Sequence, residues 1–169
     1  MKLPDIDFRG ALISPDGVYR YWLERRWSGG TLTSPCLLWC MLNPSTADSN
    51  IDDHDPTIKR CVGFSNQWGF KRLIVVNLYA YRATKPRDLE GLSRDELEGP
   101  DNRDWLYYYA TNPNVRGIVC AWGSHRYRCI PVPIEISAAR HLWALSFTAL
   151  GEPGHPLYLP ADSKLVRIN

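Results

Sequence analysis

Apolar residues of this chain concentrate in short runs that polar and turn-forming residues separate. The runs occupy residues 36–42, 73–80, 115–122 and 146–150, and each has the length of a β-strand. Residues 36–42 contain no polar position, which is typical of a strand covered on both faces. The pattern therefore predicts a buried sheet of four strands.

Helices are predicted between these strands. Asp55-Pro56-Thr57 is a typical helix start, because the carboxylate caps free N–H groups and proline suits the first helical position. Two further helices are predicted at residues 102–110 and 134–145. The alternation of strands and helices favours an α/β fold, a three-layer α/β/α arrangement with a four-stranded, mainly parallel central sheet.

The N-terminal segment has a different pattern. Residues 11–14 and 18–24 flank Pro15-Asp16-Gly17, a turn sequence, and together predict a β-hairpin. We expect residues 1–34, the hairpin and its linker, to be an addition at the margin of the core at residues 35–160. The 169 residues then form one domain.

Composition and charge narrow the function classes. Lys+Arg number 20 and Asp+Glu 18, a formal charge of +2, which excludes a strongly basic protein that binds nucleic acid mainly by phosphate attraction. No apolar run reaches the length of a membrane span, and the start of the chain lacks the apolar region of a secretory signal. We therefore expect a cytoplasmic protein without membrane contact.

The positions of the five cysteines also favour a cytoplasmic protein. Cys36, Cys40 and Cys120 lie in apolar runs, which favours buried reduced thiols over disulfides. No CxxC pair is present, so a zinc site is not expected. We expect no metal and no cofactor; the sequence leaves the oligomeric state open, with a slight preference for a monomer.

Polar residues follow the predicted strands, where parallel α/β sheets bind their ligands. These residues are Asn43, Pro44, Ser45, Thr46, Asn77, Ser124, His125 and His155. Asn77 is the most informative, because an amide within a buried apolar strand is costly unless its hydrogen bonds are met. It either fixes a neighbouring loop or binds the edge of a planar heterocycle.

Three of these positions carry a resemblance to the uracil-DNA glycosylase superfamily. Met41-Leu42-Asn43-Pro44 resembles its first motif, the strand ending in Asn77 resembles its base-reading strand, and His155-Pro156 resembles its late motif. The stretch from Leu42 to Asp48, with Asp55-Pro56-Thr57, is more closely similar to a bacterial and phage family of unknown function, family 1643.

The resemblance implies a hydrolase that cleaves the N-glycosidic bond of a base, flipped from DNA or part of a nucleotide. By this analogy the catalytic residues are Asn43, which would position water, and His155, which would stabilise charge on a base oxygen. Asn77 would select the base. The other candidate substrate-binding residues are Pro44, Ser45, Thr46, Ser124, His125, His54, Asp48 and Arg82.

Departures from the superfamily pattern indicate altered specificity, for instance for a modified base. Met41 stands where the first motif usually has glycine, and only His54 is available to stack on a base in the segment after that motif. A duplex substrate would also need a wedge to hold the gap. The candidates are Leu157, Tyr158 and Leu159, with core packing as the alternative.

Two other functions remain open at this point. The first is a nucleotide-binding or nucleic-acid-binding module of the same fold without catalysis, which would show affinity but no base release. The second is a metal-dependent hydrolase that uses the acidic segment 48–55, since hard cations prefer clustered oxygen ligands. Its candidate ligands are Asp48, Asp52, Asp53, His54 and Asp55.

Overall fold

A computed structural model of the chain describes residues 3–45, 55–124, 134–137, 139 and 141–168. In these residues the backbone forms one seven-stranded sheet with the strand order β1-β2-β4-β3-β5-β6-β7. The strands are β1 (Ile6–Ile13), β2 (Arg20–Trp27), β3 (Cys36–Met41), β4 (Arg72–Asn77), β5 (Val115–Cys120), β6 (Leu142–Ala144) and β7 (Val166–Arg167).

The predicted four-stranded, mainly parallel sheet is wrong. Strand β3 runs parallel to β4 and β5, and β5 runs parallel to β6, but β1–β2, β2–β4 and β6–β7 are antiparallel pairs. The fold class is α/β with a mixed sheet. The main reason is the N-terminal hairpin, whose second strand covers the open edge of β4 with a hydrogen-bonded ladder and so becomes part of the sheet.

The C-terminal part also differs from the prediction. The helix expected at residues 134–145 is replaced by a short helix, α4 (Ile134–Ser137), followed by strand β6. The strand expected at residues 146–150 is absent; instead the chain folds back so that Phe147 pairs with Pro153. Pairing with β5 explains the change, because Leu142 lies opposite Ile118 and a short strand there extends the sheet.

The helix predicted after Asp55 begins at its capping residue. Helix α1 (Pro56–Gln67) starts after Asp55, whose side chain accepts hydrogen bonds from the N–H groups of Thr57 and Ile58. Gly69 follows its end with a φ of +83°, a conformation that glycine adopts without strain. A short helix that the sequence pattern did not predict, α2, covers Arg94–Glu98. Helix α3 covers Asn102–Ala110, as predicted, but the side chain of Asp101 makes no capping hydrogen bond.

The core lies on both faces of the sheet because successive residues of a strand point to opposite sides. Trp39 of β3 packs with Phe64 of α1 on one face. Leu38 packs on the other face, in a cluster with Leu106 of α3 and Ile136 of α4. Since helices cover both faces, the edge at the carboxyl ends of β3, β4 and β5 is the place left for a cleft.

Two further sequence expectations concern cysteines and membrane spans. Cys36, Cys40, Cys61 and Cys120 are buried free thiols, while Cys129 lies outside the described residues. Within the described part of the chain, none of the helices has the length and apolar character that crossing a membrane requires.

Candidate functional site

A cleft of about 700 Å³ opens where β3, β4 and β5 end. This volume lies within the range of small-molecule binding sites. Side chains from strand ends far apart in the sequence meet in it. The sequence-predicted residues that line it are Asn43, Ser45, Asn77, Ser124 and His155.

Asn77 is the last residue of β4 and lies opposite Met41, the last residue of β3. Its side chain is 2% exposed, and its Nδ2 atom has no hydrogen-bond partner among the described residues. The backbone is fixed separately, because the Nδ2 of Asn102 donates to the carbonyl oxygen of Asn77 at 3.1 Å. Asn77 thus lines the cleft and has an unused, buried donor.

In Asn43, unlike Asn77, the side-chain nitrogen has hydrogen-bond partners. Its Nδ2 atom donates to the carbonyl oxygens of Ala83, at 2.9 Å, and Pro44, at 3.1 Å. Because these bonds occupy the amide nitrogen, Oδ1 is the atom available to accept a hydrogen bond from a ligand or water. Pro44 is buried and contributes its carbonyl oxygen, which also accepts from the N–H of Ala83 at 2.9 Å.

His155 enters the cleft as a hydrogen-bond donor. Its Nδ1 atom accepts from the N–H of Leu157 at 3.3 Å, so the neutral imidazole carries its proton on Nε2. Burial lowers the pKa of His155 and outweighs the opposing effect of the Asp55 carboxylate. The ring is therefore neutral at pH 7, with Nε2–H as its free donor.

Two glycines allow the close packing behind His155. A Cβ atom on Gly123 would lie 3.3 Å from the Cβ of His155, and Gly123 has a φ of +73°. A Cβ atom on Gly154 would clash with the Oγ atom of Ser146. Gly123 and Gly154 also donate backbone hydrogen bonds, both of 2.8 Å, to Pro153 and Ser146. The position of His155 therefore depends on residues without side chains.

Asp55 lies in the cleft lining, but its carboxylate is already engaged. Its Oδ1 atom accepts from the N–H groups of Thr57 at 2.8 Å and Ile58 at 3.2 Å. Its Oδ2 atom accepts from the hydroxyl of Ser45 at 3.3 Å. The described residues contain no group of three or more His, Cys, Asp or Glu side chains that could hold a metal ion.

Sequence reasoning missed Arg20. This first residue of β2 lines the cleft, although it is only 4% exposed, and its backbone N–H donates to Ala80 at 2.9 Å. Burial lowers its pKa to about 10, with Asp55 acting in the opposite direction, so the guanidinium stays charged at neutral pH. No local sequence signal marks it, because its place follows from the pairing of β2 with β4.

The remaining candidates lie in the cleft lining, away from it, or outside the described residues. Arg82 is not in the cleft lining; its Nη1 atom donates to the carbonyl oxygen of Gly17 at 2.8 Å and so holds the β1–β2 turn. Ser124 is exposed in the lining. The candidates outside the described residues are Thr46, Asp48, Asp52, Asp53, His54 and His125.

The three wedge candidates differ in the exposed fraction of their side chains. Tyr158 is 82% exposed and Leu157 is 37% exposed, and both belong to the cleft lining. Leu159 also lines the cleft but packs against the core cluster that contains Trp39. Tyr158 and Leu157 are therefore the two candidates whose side chains are exposed at the cleft.

Comparison with known proteins gives a family but no activity. No curated protein matches the chain, and no solved structure matches it. The likeness to uracil-DNA glycosylases thus rests on the motifs alone. A family profile does match, from Arg20 at the start of β2 to Leu157, just past His155. With residues 20–157 matched, the chain belongs to the family described as "Protein of unknown function (DUF1643)".

Proposed function

We propose that the protein is a hydrolase that cleaves the N-glycosidic bond of a common or modified base in a nucleotide or in DNA. The observation that carries the proposal is the meeting of Asn43, Asn77 and His155 in one cleft. Their hydrogen-bonding groups are complementary, with an acceptor on Asn43 and donors on Asn77 and His155. The resemblance of the same residues to glycosylase motifs supports it.

The reaction needs both kinds of group. The bond between the sugar carbon and the base nitrogen breaks, and its electron pair leaves with the base. The oxygen of a water molecule bonds to the sugar carbon, and its proton ends on the departing base. The Oδ1 atom of Asn43 would orient the water by accepting a hydrogen bond. The Nε2–H of His155 would donate to the base oxygen on which negative charge develops.

A neutral histidine suits this role. Burial lowers the pKa of His155, so the ring does not need to lose a proton before it binds. Its Nδ1 atom is held by the N–H of Leu157, which fixes the tautomer with Nε2–H toward the ligand. Asn77 would meet the base edge through its unpartnered Nδ2 atom, which favours a base with an acceptor at that position.

We infer the compartment of the activity from the free thiols and the size of the substrate from the cleft volume. The buried free thiols are compatible with a reducing compartment, and we place the activity in the cytoplasm. The cleft can hold more than a base, since about 700 Å³ is ample for a whole nucleotide. Asp48 and the rest of the acidic segment would favour a base with amino substituents.

The test is base release, measured by mass spectrometry. The protein is incubated with nucleotides and oligonucleotides that carry common and modified bases, with and without a chelator. His155→Ala is expected to lower turnover about 10²- to 10³-fold, the scale of losing one donor to a developing oxyanion. His141→Gln is the matched control, because His141 is exposed and lies away from the cleft lining.

The outcomes separate the three functions. Base release that depends on His155 and not on His141 supports the glycosylase. Binding of a nucleotide without release of any base would make the chain a binding module. Hydrolysis that a chelator abolishes would make it a metal-dependent hydrolase, and the acidic segment would then be the place to look for the ligands.

A further inference from the structure

The cleft contains a buried positive charge that the proposed reaction does not use. Arg20 is 4% exposed, its Nε atom has no hydrogen-bond partner among the described residues, and it lines the cleft beside Asp55. None of the ion pairs within the described part of the chain involves it. A buried charge without an ion-pair partner is destabilising, so its presence in a cleft points to a function.

Arg72 shows how this protein treats a buried arginine that has a structural role. It is also 4% exposed, but its Nε atom pairs with the carboxylate of Glu24 at 2.7 Å. It donates in addition to the carbonyl oxygen of Leu32. Arg72 is thus neutralised inside the protein, whereas Arg20 is left to meet its partner from the cleft.

Neighbouring charges act on Arg20 in both directions. Burial lowers its pKa most; among the charged groups Asp55 raises that pKa, while Arg82 and Arg25 lower it. The Asp55 carboxylate already accepts hydrogen bonds from Thr57, Ile58 and Ser45, which reduces its capacity to bind Arg20.

We infer that Arg20 forms an oxyanion subsite in the cleft, and that the ligand it selects is the terminal phosphate of a free nucleotide. The guanidinium fork matches a phosphate group, and the unpartnered Nδ2 of Asn77 remains for the base of the same nucleotide. The subsite stands on the geometry of Arg20, while the nucleotide as its ligand rests on the proposed function.

The burial of Arg20 favours a free nucleotide over a polymer. A phosphate that touches a side chain only 4% exposed has to enter the cleft together with its base. In a polynucleotide, the phosphates next to a flipped base continue into the strand on both sides and stay near the cleft mouth. A terminal phosphate has no such continuation and can follow its base inside.

Binding is measured by calorimetry with inorganic phosphate, the common nucleoside 5′-monophosphates, the matching nucleosides and a single-stranded oligonucleotide. We expect the monophosphates to bind about 10- to 100-fold more tightly than the nucleosides, as for a charge-assisted hydrogen bond. Arg20→Met should abolish this difference, and Arg20→Lys should restore only part of it. Arg103→Met, on the exposed side of α3, should leave it unchanged.

A second readout distinguishes a binding role from a structural one. Without ligand, Arg20→Met is expected to melt at the same temperature as the parent protein or higher, since it removes an unpaired buried charge. A clear fall in melting temperature would mean that Arg20 stabilises the fold and would overturn the inference. If that variant does not fold, the Nε–Hε resonance of Arg20 in the parent protein is followed by NMR, and it should shift on addition of phosphate.

The remaining outcomes are equally decisive. Equal affinity for monophosphates and nucleosides, or a phosphate effect that persists in Arg20→Met, overturns the subsite. Arg20-dependent binding of the oligonucleotide without binding of monophosphates overturns the free nucleotide. Base release in the same samples is scored separately, so phosphate binding without release contradicts the proposed function alone. Release that does not depend on Arg20 contradicts this inference alone.

Discussion

The side-chain amide of Asn102, the first residue of α3, donates to the backbone carbonyl oxygen of Asn77 at 3.1 Å and to that of Leu78 at 3.0 Å. Helix α3 thereby fixes the carboxyl end of β4 from behind. The backbone of Asn77 is held by the fold, and its side chain remains available to the cleft. Asn102 thus has a structural role at the end of β4, and the binding role of Asn77 is the prediction to be tested.

Asn102→Ala should destabilise the protein by about 1–3 kcal/mol, because it leaves two buried carbonyl oxygens without their donor. The free energy of unfolding is measured by chemical denaturation. Arg103→Ala, the next residue of the same helix, is the control, since its side chain is exposed. Equal losses for both variants would show that the bonds to Asn77 and Leu78 contribute nothing.

Unlike Asn102→Ala, the substitution Asn77→Ala should weaken ligand binding rather than stability. The Nδ2 atom of Asn77 is buried and has no partner among the described residues, so its removal should leave the free energy of unfolding without ligand nearly unchanged or raise it. Affinity for the ligand should fall about 10- to 100-fold, because the ligand then loses a buried donor. Discrimination between bases that differ at the paired edge should also weaken. A large loss of stability would instead assign Asn77 to fixing a loop.

Asn43→Ala is expected to lower kcat with little change in KM, because the proposed contact of Oδ1 is to water and not to the substrate. Some stability will be lost with the bond from Nδ2 to Ala83. Asn66→Ala is the matched control, since it removes an amide that bonds Trp27 Nε1 at 3.0 Å, away from the cleft lining. A rise in KM at constant kcat would contradict the role in positioning water.

His155 should make stability depend on pH. Burial lowers its pKa below 6.5, the ordinary value, so between these two values the unfolded chain binds more protons than the folded one. The free energy of unfolding should therefore be constant above that range and fall as the pH drops through 6.5. His155→Gln should lack this step, and His141→Gln should keep it. NMR titration of the two imidazoles measures the pKa directly, and a value for His155 above 6.5 would refute the prediction.

Gly154→Ala should lower both stability and activity, because the new methyl group meets the Oγ atom of Ser146 and moves the chain that holds His155. The effect is measured by melting temperature and base release. Ser146→Ala removes that oxygen, so the double variant should recover part of both losses. No recovery would mean that the backbone around Gly154 is strained by the methyl group itself.

The elements that sequence patterns predicted well are those fixed by local chemistry. Helix α1 begins after Asp55 because a carboxylate and a proline suit a helix start wherever the helix packs. Strand β3 is a similar case, because its run of apolar residues is buried throughout. The positions of Asn43 and Asn77 at neighbouring strand ends followed from the same patterns, and the roles assigned to them remain predictions.

The features that the sequence did not predict depend on pairing between strands that are far apart in the sequence. Residues 142–144 have a spacing compatible with a helix, yet they extend the sheet because β5 offers them an open edge. The N-terminal hairpin was expected at the margin, but β2 covers β4. Arg20 reaches the cleft only as a result of that second pairing, so no local pattern distinguishes it from the other arginines.

The antiparallel pairing of β2 with β4 also has a consequence for folding. The beginning of β2 lies beside the end of β4, so the cleft brings together segments near residues 20, 43, 77 and 155. Closing such long loops is slow, which makes the cleft one of the last parts of the molecule to form. A ligand that contacts all four segments binds only the complete fold, so it raises the melting temperature further as its concentration increases above the dissociation constant. Thermal shift across a library of nucleotides can therefore find the ligand before any reaction is known.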